Sequence, residues 1–183
     1  MYRINVEGLC YAPLTNDDAT SVTYGTIVAV PGAMSIAMKP LTAAGKLYGD
    51  GQLRDETSLL NGIEVDLELN RIPQTVRAAW YGHTATTGAI EEAATATPIF
   101  MALGFKLVGS DGKIEYVWLY KGKAAPPEES TGQKTDNITY STATLKLTFM
   151  PRVKDGKLRK WGDENEAGFT GGSTFLSTVP VPS

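Results

Sequence analysis

The feature that most constrains this chain is a strict alternation of apolar and polar residues that recurs along it. In "GIEVDLELN", Gly62 to Asn70, Ile63, Val65, Leu67 and Leu69 alternate with Glu64, Asp66, Glu68 and Asn70. A period of two belongs to a strand with one face in a core and the other in water. The same period runs through "AMSIAMKP", where Met34, Ile36 and Met38 oppose Ser35, Ala37 and Lys39. It returns in "ITYSTATLKLTFMP", where Ala143, Leu145, Leu147 and Phe149 oppose Thr144, Lys146 and Thr148. "SVTYGTIVAV" is rich in strand formers and stops at Pro31-Gly32. "IFMALGFKLVG" and "KIEYVWLYKG" flank Ser110-Asp111-Gly112, and Asp-Gly between apolar runs signals a hairpin. A second Asp-Gly turn falls at Asp155-Gly156.

One segment breaks the period. In "IPQTVRAAWYGH", Val76, Ala79 and Trp80 fall at i, i+3 and i+4, Pro73 suits a helix start and Gly82 a helix end. This predicts a helix over Pro73–Gly82, anchored by Val76 and Trp80. About eight strands and one helix in 183 residues point to a single mainly β domain, an antiparallel sandwich or barrel with one flanking helix. Leu41–Asn61 shows no sustained period and contains three glycines, so it reads as a long inter-strand loop. Residues 162–183 read as a C-terminal arm, "AAPPEESTGQKTDN" as an exposed linker, and "TATTGAIEEAATATP" as a loop.

Composition excludes several functions. The formal net charge of −3 gives no bulk attraction to nucleic acid. The single cysteine, Cys10, cannot form an internal disulfide and reads as a small buried hydrophobe. No apolar run is long enough for a membrane span, and "MYRINVEGLC" has no apolar core of a signal peptide, so the chain reads as a soluble intracellular domain. The one histidine, His83, follows Gly82 with no motif that supplies a catalytic partner. "GSDGK" lacks the spacing of a phosphate loop, "GDGQLRDE" that of a calcium loop, and no Cys or His spacing fits zinc. The expectation is a protein that is not an enzyme and uses neither metal nor cofactor.

Two surfaces still ask for a purpose. Glu64, Asp66 and Glu68 stand roughly 7 Å apart on one strand face, and each adjacent pair repels by about 0.6 kcal/mol at the dielectric of water. Such exposed acids have no reason for the divergent acidities that a hydrolase needs. Tyr116, Trp118 and Tyr120 share a face of another strand; they read as core, or else as a sugar-stacking platform in a carbohydrate-binding module.

Taken in order, the segments resemble the major tail proteins of long-tailed bacteriophages, siphovirus type, especially those of Gram-positive hosts. The resemblance runs from Leu9 to Trp161. It rests on "YAPLTNDDATSVTYGTIVAVPGAMSIAMKP", the "LYGDG" element at Leu47–Gly51, "GIEVDLELNRIP", the helix end "WYG", "GFKLVGSDGKIEYVWLYKGKAAPPEES" and "DGKLRKWG". It implies a β fold of the tail-tube type, with rings, usually hexameric, that stack into a hollow tube through which DNA leaves the virion. The implied partners are further copies of the chain, a tape-measure protein, other tail proteins and DNA that passes without specific binding. The implied place is the phage tail, after synthesis in the host cytoplasm. The resemblance also implies that Lys46, Leu47, Tyr48, Asp50, Leu53 and Arg54 in the long loop contact neighbouring subunits or rings. A conduit for DNA must not hold phosphates, as Lys and Arg would. Carboxylates facing inward would repel the polyanion over a Debye length of about 8 Å. Glu64, Asp66 and Glu68 are therefore expected to face the lumen with Ser35, Ala37 and Lys39, and Lys39 to pair with an acid across the sheet.

Overall fold

The alternating segments become strands of one antiparallel sheet. The computed structural model describes residues 2–50, 52–128 and 142–182. Its strands are β1 (Arg3–Asp17), β2 (Val22–Tyr24), β3 (Val28–Ala29), β4 (Ala33–Gly49), β5 (Gln52–Leu69), β6 (Thr84–Thr86), β7 (Ala89–Glu91), β8 (Met101–Gly109), β9 (Ile114–Ala124), β10 (Ala143–Phe149) and β11 (Arg159–Asp163), with helix α1 at Gln74–Tyr81. The main sheet runs β2-β1-β8-β9-β10-β5-β4, with β3 added to β1 and β11 to β9. β1 and β4 lie far apart in that order yet approach each other in space, so the sheet curls. No ladder joins them, and the curl stops short of a closed barrel. The mainly β expectation with one flanking helix is met.

The inside of the curl is the core. Ile63, Val65, Leu67 and Leu69 of β5 are buried there beside Leu145, Leu147 and Phe149 of β10, Leu103 and Phe105 of β8, and Val117 and Leu119 of β9. Each such side chain contributes about 1.5–3 kcal/mol by leaving water. Helix α1 supplies Val76 and Trp80, as its spacing predicts, and also Tyr81. The Trp80 ring meets Tyr11 edge-on at 5.5 Å. Pro73 stands just before the first turn, and Gly82 ends the helix at φ 69°, with its amide bonded to the Ala78 carbonyl. A side chain at Gly82 would also meet the Thr97 carbonyl at 2.7 Å. The Asp111-Gly112 hairpin joins β8 to β9 as expected, while Thr84–Glu91, expected as loop, is a small hairpin of β6 and β7.

Outside the curl, the sheet divides into two regions. Over β1, β8 and β9 it is dry: Cys10, Ala12, Ala102, Trp118 and Tyr120 form a second core with Val179. Gly104 lies beneath the Trp118 ring, which a Cβ there would meet at 2.8 Å. Residues 162–183, expected as an arm, instead fold back over this region as far as they are described. The Trp118 indole donates to the Phe175 carbonyl at 2.8 Å, and Tyr116, Phe169 and Phe175 stack together. Buried Arg152 fastens the end, bonding the Asp155 carboxylate and the Pro180 carbonyl while lying 3.7 Å above the Tyr120 ring. The short apolar pairs of the tail, surrounded by turn residues, hid this packing because they cover a sheet without regular structure of their own.

Leu41–Asn61 is the other correction. It is not a loop but the outer half of the β4–β5 hairpin, paired from Thr42 and Leu60 to Gly49 and Gln52 with one shift of register between Leu47 and Tyr48. Alternation marks a strand only where one face is buried. Residues 41–48 and 52–61 have both faces in water, so the period vanishes while the hydrogen bonds remain. Most of the predicted linker, 129–137, lies outside the described residues.

Candidate functional site

Over β10, β5 and β4 the outer sheet face is wet, and the alternation of β5 places Glu64, Asp66 and Glu68 on it. Cross-strand register then decides their neighbours. Ser35, Ala37 and Lys39 of β4 stand opposite Glu68, Asp66 and Glu64, while Thr144, Lys146 and Thr148 of β10 flank the same three from the other side. Lys123 of β9 continues the row opposite Thr148. All six residues expected on this surface are thus brought together. Lys146 and Lys123 join them, although the sequence did not reveal the strand partner that places them there.

The face is mixed in charge rather than acidic. Lys39 reaches diagonally to Asp66 at 2.5 Å, the expected cross-sheet pair, and its ammonium is held above the usual lysine range by that hydrogen bond and charge. Glu68 accepts from Thr142 at 2.7 Å and from Ser35 at 3.0 Å, which hold its carboxyl below the usual range. Lys146 pairs with Glu128 at 3.3 Å, and the Lys123 ammonium lies 4.2 Å from the Phe100 ring centre. Lys39 thus offsets the acidic row by direct contact, and Lys146 stands opposite Asp66 in the ladder.

The ribbon beyond this face carries the second group of residues. Tyr48 pairs with Leu53, Leu47 with Asp55 and Lys46 with Glu56, so the tip gathers Lys46, Leu47, Tyr48, Asp50, Leu53 and Arg54. Lys46–Glu56 and Asp50–Arg54 are ion pairs at 3.6 and 3.0 Å. Leu47 and Tyr48 are 63% and 64% exposed, and Leu41, Leu53, Leu59 and Leu60 are exposed as well. Neighbouring residues of a strand point to opposite faces, so these apolar side chains are exposed on both sides of the ribbon.

The aromatic row offers no platform. Tyr116, Trp118 and Tyr120 are buried under the C-terminal segment, so their faces are unavailable to a sugar. Cys10 is buried, and its thiol is pushed up to about 11 chiefly by loss of solvent. Among the described residues no cluster of His, Cys, Asp and Glu could hold a metal ion, and no helix is long and apolar enough to cross a membrane.

No protein-family model and no curated protein matches the chain. Among solved structures, it is similar to a chain of the cryo-EM structure of an extracellular contractile injection system, PVC sheath-tube complex in extended state. The two share 11% identity over 88% of this chain and 93% of that chain, with a TM-score of 0.47.

Proposed function

We propose that this chain is a structural subunit of a hollow tail tube, which self-assembles into rings that stack and, in the virion, let DNA pass. The observation that carries the reading is the β4–β5 ribbon: a long two-stranded projection, clear of the core, with Leu47, Tyr48, Leu53, Leu59 and Leu60 exposed. A ribbon of this kind is marginal in isolation, and its apolar surface suits a second copy of the chain. The order of motifs from Leu9 to Trp161 supports the phage-tail version of this reading, with rings of six the expectation.

In this reading the wet face of β10, β5 and β4 lines the lumen. Lys39 and Lys146 are already engaged with the carboxylates of Asp66 and Glu128, so a phosphate would compete with those partners. A non-adhesive wall therefore needs no excess of acid, only cations paired in advance. Tape-measure and other tail proteins would be its further partners, and no catalytic role belongs to the reading. The test is negative-stain microscopy with sedimentation on concentrated protein. Rings or tubes are expected; a monomer at every concentration, including on nucleation by tail initiators, overturns the proposal.

A further inference from the structure

At the open seam of the curl, β1 and β4 approach without pairing, and a cleft of about 390 Å³ lies there. Val6 and Leu107 form one wall with Arg3 at the rim, and Met34, Ile36 and Met38 of β4 form the other. Ile36 and Met38 stand opposite Leu67 and Val65, so they belong to the core face of β4. The seam leaves that face incompletely covered: Ile36 and Met38 are half-buried, and Met34 is 52% exposed. Methionine is flexible and fits its shape to an incoming side chain. Trp161 stands beside the rim, partly exposed, with the Arg3 and Arg159 guanidiniums each 5.2 Å from its ring centre. Tryptophan and arginine are residue types in which binding energy concentrates.

The ribbon tip has the complementary form. Leu47 points to one face of the ribbon, and Tyr48 with its partner Leu53 to the other. A tip that is apolar on both faces is fully covered only between two walls, as a cleft provides. The charges match as well. Asp55 lies opposite Leu47 on the same ribbon face, exposed and without an ion pair among the described residues. At the cleft, Arg3 is engaged with Glu115 at 2.6 Å, while Arg159 meets the Trp161 ring and has no carboxylate among the described residues.

We infer that the ribbon tip of one copy docks in the β1–β4 cleft of a second copy, with Leu47, Tyr48 and Leu53 between its walls and Asp55 reaching Arg159. The inference rests on the tube reading and names the surface that receives the ribbon. Tip and cleft lie toward opposite ends of β4: Ile36 and Leu47 are eleven residues apart, about 36 Å by strand rise. Two different surfaces at opposite ends of one strand make a head-to-tail contact. Such a contact does not close as a back-to-back pair but passes from copy to copy, as stacking requires.

The test links cysteines in assembled full-length chain with a short bismaleimide; Cys10 is buried, and wild type sets the background. Leu47→Cys with Met34→Cys in one chain should give a ladder of linked copies, and a mixture of the two single variants linked dimers. Leu47→Cys alone should give the background only, as should Leu47→Cys with Val153→Cys, an exposed site outside the cleft. Met34→Asp puts a charge in the cleft and should raise the concentration needed for assembly about tenfold or more. Its urea midpoint should change little, because Met34 is exposed; if it does not fold, the links decide. Wild-type tubes with no Leu47–Met34 link in the double variant, linking through Leu47→Cys alone or to Val153→Cys, or assembly of folded Met34→Asp at the wild-type concentration overturns the inference and leaves tube formation standing. Wild-type chain that never assembles overturns both.

Discussion

At the residue scale, two side chains show how burial and pairing set the expected cost of change. Trp80 is fully buried against Tyr11, yet its indole N–H has no partner. Trp80→Ala should therefore cost about 3–5 kcal/mol through the cavity it leaves, while Trp80→Phe should cost much less, since no hydrogen bond is lost. Urea midpoints of the two variants check this, and equal losses would mean that ring volume is not what counts. Asp17 makes a different case. Burial alone would raise its carboxyl, but the Lys121 ammonium at 2.6 Å and the Val153 amide at 3.0 Å outweigh burial and hold it below the usual range. Its unfolded value is near 3.9, so this stability is present in full above about pH 4 and is lost as pH falls through the lower folded value. Asp155, held down by Arg152 against burial, adds to the same acid limb. Asp17→Asn leaves Lys121 buried and unpaired, so it should lose roughly 3 kcal/mol at neutral pH and show a shallower decline on acidification. A parallel decline in mutant and wild type would remove Asp17 from the account.

At the element scale, the β4–β5 ribbon behaves as two things in one hairpin. Its inner half has a buried face and shares the stability of the sheet; its outer half has hydrogen bonds but no core. Amides of residues 42–60 should accordingly exchange quickly in the monomer and slowly once copies assemble. Slow exchange there in the monomer would show that the ribbon needs no neighbour. The tip can also be tested without disturbing the fold. Leu47→Ser with Tyr48→Ser should change monomer stability by about 0.5 kcal/mol or less, as exposed sites do, and should abolish rings or tubes. Assembly at the wild-type concentration would place the contact elsewhere.

At the scale of the whole molecule, charge on the wet sheet face is the variable that assembly would amplify. Changing Glu64, Asp66 and Glu68 to Lys reverses the sign of the chain's net charge of −3 and strips Lys39 of its Asp66 carboxylate. Tubes of this variant should retain DNA, with retention falling steeply as salt rises. The corresponding Gln variant should assemble and release DNA normally, because Ile63, Val65, Leu67 and Leu69 keep the core face intact. Normal release by the Lys variant at low salt would take this face out of the lumen.

The sequence by itself determined what repeats locally. Ile63, Val65, Leu67 and Leu69 announced a half-buried strand, Val76 and Trp80 the helix anchor, and Asp111-Gly112 a hairpin, because side-chain period and turn chemistry are set by nearest neighbours in the chain. Only the tertiary structure decided what depends on distant partners. Register set Lys146 and Lys123 beside the carboxylates, turning an acidic row into a balanced face. Packing laid the C-terminal segment over Trp118, though its residues carry no period. The ribbon at residues 41–61 stayed hidden for the opposite reason: with no buried face, its strands leave no alternation to read, and only their hydrogen bonds to each other reveal them.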